Sequence, residues 1–105
     1  MHLQKKVIDF IKERNCWVIK VQMANERGCP DLIACVLGYF LAIEIKEGED
    51  KLSIIQVAQL EAITDSDGVA WVVIDYDSFC TQFKILYSNL SIRKLRDGTK
   101  RVKFE

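Results

Sequence analysis

The chain has 105 residues, half of them hydrophobic, with five glycines and one proline. That is enough for one compact domain and too apolar for a disordered tail. Fifteen basic residues balance fifteen acidic ones, which argues against a generic nucleic-acid binder, and no apolar run nears the ~20 residues of a membrane span. Behind the first basic residues, Met-His-Leu-Gln-Lys-Lys-Val, there is neither an apolar stretch nor a small-residue cleavage site. A cytoplasmic protein is therefore expected, with no signal peptide and no membrane partner.

Charge is unevenly spread. Residues 1–88 hold nine Lys/Arg against thirteen Asp/Glu, whereas residues 89–105 hold six, Arg93, Lys94, Arg96, Lys100, Arg101 and Lys103, against two. An acidic body with a basic tail is the asymmetry of a protein that meets a polyanion, although a basic segment is also ordinary solvated surface.

Leu3, Val7, Phe10 and Ile11 recur at helical spacing and predict a first helix over 3–14. Residues 17–23 alternate, with Trp17, Ile19, Val21 and Met23 on one face, and predict a strand. Residues 24–30 form a loop, and 31–36 and 40–46, joined through Gly38, a β-hairpin. After a polar loop, Ser53 opens a second helix whose apolar side is Ile54, Val57, Ala58, Leu60 and Ile63, ending before Gly68. Residues 69–74 are strongly apolar and predict a central strand. Ser78 caps a short third helix to about Tyr87, and residues 91–104 alternate around Asp97-Gly98, a hairpin signal. The expected architecture is α/β: an α-β-β-β-α-β core with a mixed sheet flanked by helices and a C-terminal β-hairpin. Residues 1–88 make the core, and 89–105 a basic hairpin extension of the same domain.

Cys16, Cys29, Cys35 and Cys80 include no Cys-x-x-Cys pair, and the single histidine is His2. Buried or half-buried free thiols are expected, with no zinc site. Cys29 reads as a spacer, because a cysteine nucleophile would need a partner base.

The 31–46 hairpin carries the chemistry. With a Gly38-Tyr39 turn, Asp31 faces Lys46; with Leu37-Gly38, Asp31 faces Glu44. In both registers Asp31, Glu44 and Lys46 project from one sheet face, with Ile43 and Ile45 on the other. Two close carboxylates repel unless a cation or proton intervenes. Oxygen ligands of this kind suit Mg²⁺ or Mn²⁺, and a lysine beside them can orient water or offset developing charge, so the set fits phosphodiester hydrolysis without a histidine. Glu-x-Lys on a strand is also a common exposed ion pair, and Asp after Pro is common turn chemistry.

Gly28-Cys29-Pro30-Asp31, Phe40-Leu41-Ala42-Ile43-Glu44-Ile45-Lys46 and Lys51-Leu52-Ser53-Ile54-Ile55-Gln56 resemble the PD-(D/E)xK nuclease superfamily, and within it the small stand-alone VRR-NUC domains of phages and bacteria, over residues 3–76. The resemblance implies a restriction-endonuclease-like fold and a bacterial or phage-infected cytoplasm. It implies metal ligation by Asp31, Glu44 and the backbone carbonyl of Ile45, and water and phosphate positioning by Lys46. It further implies a site or DNA contact by Gln56, which also fits a Ser53-x-x-Gln56 capping box. The function implied is a Mg²⁺- or Mn²⁺-dependent endonuclease, selective for branched DNA such as four-way junctions, working as a homodimer with no organic cofactor. Members of this family carry a glutamate at the start of the first helix; the equivalent here is Gln4, whose amide accepts hydrogen bonds but bears no charge. Asp9 and Glu13 lie further along that helix, and Lys20 either enters the cleft or is a solvated strand lysine. Arg93, Lys94, Arg96, Lys100, Arg101 and Lys103 are the expected DNA-backbone contacts, on charge alone. The alternative is a catalytically weak or inactive nuclease-fold module that binds nucleic acid or protein. A nucleotide-binding α/β domain would need a Gly-rich phosphate loop, which the chain lacks.

Overall fold

The computed structural model describes residues 2–97, and side chains through Arg93. In chain order the elements are α1 (Leu3–Glu13), β1 (Trp17–Lys20), β2 (Leu32–Val36), β3 (Tyr39–Ile45), α2 (Ile54–Asp65), β4 (Val69–Val73) and α3 (Tyr76–Asp97). The four strands form one mixed sheet in the order β1-β2-β3-β4, antiparallel except for the parallel β3–β4 pair. This is the expected α/β architecture of a mixed sheet flanked by helices. Among the described residues no helix is long and apolar enough to cross a membrane.

Side-chain alternation divides the sheet into two unlike faces. Leu32, Ala34, Val36, Leu41, Ile43 and Val73 are buried in a core shared with Val7, Phe10 and Ile11 of α1 and Phe79, Phe83 and Leu90 of α3. Three rings lock that layer: Phe10 lies edge-on to Phe79 at 5.3 Å and to Phe83 at 5.4 Å. The other face carries Trp17, Ile19, Ile33, Cys35, Phe40, Ala42 and Glu44, as the registers of β1–β2 and β2–β3 require. Helix α2 reaches this face through Gln56 and has no buried residue of its own. Its expected apolar side is therefore largely open, with Ile54 89% exposed.

The β2–β3 turn is Leu37-Gly38, flanked by the pair Val36 and Tyr39. Both turn residues have positive φ, 51° and 91°, which matches the strand twist in a two-residue hairpin. Gly38 adopts this freely while Leu37 is strained. Of the two registers the hairpin allowed, this one sets Asp31 opposite Glu44.

Several expectations need correction. Strand β1 stops at Lys20, with Val18 turned into the core and Trp17 and Ile19 outward. Strand β4 is at the sheet edge, its apolar character explained by helix packing and not by strands on both sides. Cys35 is exposed, while Cys16, Cys29 and Cys80 are half-buried, and all four are free. The largest correction concerns the C-terminus. Helix α3 runs 22 residues to Asp97, so residues 91–97 are helical, not the first strand of a hairpin, and the boundary at residue 88 falls inside a helix. Phe79, Phe83, Leu86 and Leu90 continue a helical stripe packed on the core, and this burial outweighs the local alternation after Ser91. The rest of the expected hairpin, residues 98–105, lies outside the described residues.

Candidate active site

Glu44 stands on the central strand β3 and is 2% exposed, the one buried charged residue among those described. Asp31 immediately precedes β2, and the Leu32–Ile43 pairing places it opposite Glu44. The Asp31 side chain is fixed: its Oδ2 accepts from the Ile45 backbone N–H at 2.8 Å. The Asp31 carbonyl accepts from Val21 N–H, also at 2.8 Å. Pro30 before it restricts the loop, which docks on α2 through Gly28. At φ +76°, with the position of a Cβ only 2.5 Å from the Ile55 side chain, residue 28 has to be glycine.

The two oxygens of Glu44 differ. Oε2 accepts from Gln56 Nε2 at 3.0 Å and lies 3.5 Å from Lys46 Nζ. Oε1 is buried with no hydrogen-bond partner among the described residues. Burial, then the Asp31 carboxylate beside it, push the Glu44 carboxyl up to about 7, against the opposing pull of Lys46. A buried carboxylate oxygen without a donor is costly, and a cation is the partner that would satisfy it while relieving the Asp31–Glu44 repulsion. The donor set, two carboxylates on facing strands, therefore fits a hard divalent ion.

Gln56 both closes the capping box and touches Glu44. Its Oε1 accepts from Ser53 N–H at 3.0 Å and its N–H donates to Ser53 Oγ at 3.1 Å, closing the capping box of α2. The remaining Nε2 holds Glu44. Gln56→Ala should thus lower stability by about 1 kcal/mol through the cap and weaken Mg²⁺ binding roughly ten- to a hundredfold. Ser53→Ala should cost similar stability while leaving Mg²⁺ affinity intact, a comparison made by thermal melts and calorimetric titration.

A cleft of about 570 Å³ opens at this end of the sheet, lined by His2, Gln4, Lys5, Asp31, Ile45 and Glu47. Gln4 is therefore brought beside Asp31 and Ile45. His2, Lys5 and Glu47 were missed as cleft residues; only their sequence closeness to Gln4 and Lys46 pointed to them. Asp9 is paired with Lys5 at 2.7 Å and Glu13 lies 3.8 Å from Arg14, and neither lines the cleft. Lys20 pairs in register with Leu32, on the sheet face opposite Glu44. Among the described residues no three His, Cys, Asp or Glu side chains converge as a metal-holding group; the helix position beside Asp31 is held by the uncharged Gln4.

The basic residues lie elsewhere. Arg93 is exposed, its guanidinium 4.9 Å from the centre of the Tyr39 ring at the turn end of β3, whereas Glu44 stands near the other end of that strand. Lys94 and Arg96 belong to the last turns of α3. Lys100, Arg101 and Lys103 lie outside the described residues.

The sequence matches no protein-family model and no curated protein. Among solved structures it is similar to Hjc of Archaeoglobus fulgidus, a Holliday junction resolvase from an archaeal hyperthermophile, with TM-score 0.53 and 25% sequence identity. The match covers 69% of this chain and 66% of that one, slightly under two thirds of the resolvase. The two share a resolvase-like mixed α/β nuclease fold.

Proposed function

We propose that this chain is a divalent-metal-dependent endonuclease that hydrolyses phosphodiester bonds in branched DNA, four-way junctions included, as a homodimer. The observation that carries the reading is the buried, partnerless Oε1 of Glu44 beside Asp31, with Lys46 against the other oxygen. The resolvase-like fold supports the same reading.

Asp31, Glu44 and the backbone carbonyl of Ile45 would hold Mg²⁺ or Mn²⁺. When bound, the ion supplies Lewis-acid stabilisation of the phosphate and lowers the pKa of water. The remaining work falls to side chains. Gln56 orients Glu44 by engaging Oε2, which leaves Oε1 free. Lys46, with its side chain only 15% exposed, donates to the attacking water or a phosphate oxygen and offsets charge that develops as water adds to phosphorus and the ester P–O bond breaks. Gln4 contributes an uncharged amide from α1. The basic tail from Arg93 onward supplies backbone affinity that the acidic site lacks.

The open sheet face is the surface we assign to the second protomer. Trp17, Ile19 and Phe40 are 54%, 42% and 46% exposed there, beside exposed Cys35. Among the described residues the patch they form has no charged side chain, so two copies could meet about a two-fold axis without opposing like charges. Sedimentation should give a dimer for the native chain. Trp17→Lys with Phe40→Lys should give a folded monomer that nicks a junction without paired, symmetric cuts; a double variant that stays dimeric would exclude this face.

A second reading, a module with weak or no catalysis, is favoured by Gln4 and by the two-carboxylate site. Incubation of labelled four-way junction, flap and linear duplex with Mg²⁺ or Mn²⁺, against EDTA, separates the two. Metal-dependent cutting with the junction preferred is expected, and binding without cutting of any substrate would replace the enzyme with the module.

A further inference from the structure

A second cleft, of about 520 Å³, opens where the end of α1 meets α3, lined by Arg14, Asn15, Phe83, Lys84, Tyr87 and Ser88. We propose that it binds phosphate, taken from a nucleic-acid strand or from a free nucleotide. Among the described residues two cations line it and no carboxylate does. Arg14 is held in place, its guanidinium 3.3 Å above the Phe10 ring and its Nη1 donating to the Phe10 carbonyl at 3.0 Å. Glu13 stands 3.8 Å from that same nitrogen on an exposed side chain, and Nε and Nη2 of Arg14 have no partner among the described residues. Lys84 likewise pairs with no carboxylate among them.

Neutral donors complete the lining. Asn15 sits at φ 60° where α1 ends, and brings an amide to the cleft wall. Ser88 is one helical turn from Lys84 on α3, so an ammonium and a hydroxyl lie on one side of that helix. Phe83 and Tyr87 are stacked, with ring centres 6.1 Å apart and planes 26° from parallel, and Tyr87 adds a phenol. A rigid guanidinium, a free ammonium and several neutral donors around a cleft of this size match a phosphate group, and the partly exposed Tyr87 ring, backed by the fully buried Phe83, suits an attached base.

Its position gives the site a purpose. Arg14 and Gln4 mark opposite ends of α1, on the order of 15 Å apart by helical rise. The carboxylate pair lies at one end and this cleft at the other, toward the end of the sheet where Arg93 stands over Tyr39. For a strand of DNA the cleft would be an anchor remote from the scissile bond; that arm of the inference rests on the proposed nuclease function, while the phosphate chemistry does not.

The test is amide NMR on the full chain in EDTA, titrated separately with inorganic phosphate, a nucleoside monophosphate and a short DNA duplex. Shifts at Asn15, Lys84, Tyr87 and Ser88 are expected. Shifts with the duplex assign the cleft to a strand; shifts with the monophosphate but not the duplex assign it to a free nucleotide. In the first case Lys84→Gln/Ser88→Ala should weaken duplex binding about three- to tenfold and reduce its log–log salt slope by about one. Amides that stay in place with all three probes overturn the proposal. So does a duplex-shifted cleft whose double variant matches the native chain in affinity and salt slope. Cleavage assays on the native chain report separately: shifts at these amides without cutting would remove the nuclease and keep the cleft, and cutting without shifts would do the reverse.

Discussion

Replacing Glu44 with glutamine should reduce metal-dependent cleavage by about 10³-fold, since several kcal/mol of transition-state stabilisation pass through its carboxylate. The same variant should be more stable than the native chain above pH 7 in the absence of metal. Glu44 is held neutral in the fold up to about pH 7 by burial and by Asp31, against its ordinary 4.5. Below pH 4.5 it is protonated folded and unfolded alike and its stabilising contribution is complete. As pH rises from 4.5 to 7 the unfolded chain ionises first, so that stability is lost progressively, and above pH 7 the loss is full. Melting temperatures of native protein and Glu44→Gln should converge near pH 4 and separate by pH 8. Mg²⁺ should stabilise the native chain at pH 8, by mass action on the folded state, and its affinity should fall roughly tenfold per pH unit below 7 because the ion must displace a proton. Parallel melting curves for the two proteins from pH 4 to 8 would contradict the assignment of Glu44 as the buried acid of the site.

Lys46→Met should be nearly as damaging, with cleavage down by about 10² to 10³, the range seen when one preorganised donor to developing charge is removed. Its second effect follows from the ion pair with Glu44 at 3.5 Å. Without the ammonium the Glu44 carboxyl moves further above 7, because burial and Asp31 then lose the opposing cation. Metal affinity at pH 7 should fall with it. Destabilisation of the metal-free fold should be clear at pH 8, where the unfolded chain ionises Glu44 freely while the fold must either keep it protonated or hold its charge beside Asp31 with no counter-charge, and should vanish at pH 5, where folded Glu44 is protonated with or without Lys46. Glu44→Gln/Lys46→Met should recover most of the stability lost in Lys46→Met and none of the activity. A double-mutant cycle measured at both pH values isolates the pair; equal coupling at pH 5 and pH 8 would show that charge is not what joins these two residues.

The pattern of the candidate site is legible from sequence because it depends on local rules. A strand alternates its side chains with period two, so Asp31, Glu44 and Lys46 share a face whichever two-residue turn closes the hairpin, and Ser53-x-x-Gln56 closes a box within one helical turn. The helix–strand order through residue 73 follows from the same periodicities. What local rules cannot supply is competition between distant segments. Whether Ser91 begins a strand or continues a helix turns on Leu90 finding the core beside Phe83, and the helix won through burial that the local alternation does not register. The edge position of β4 and the openness of the Trp17 face depend on which elements lie above and beside each strand. The burial of Glu44 is likewise a tertiary fact. Its sequence neighbours make it look like half of an exposed Glu-x-Lys pair, and only the tertiary fold buries it on an internal strand, with Gln56 of α2 on one oxygen and no partner among the described residues for the other.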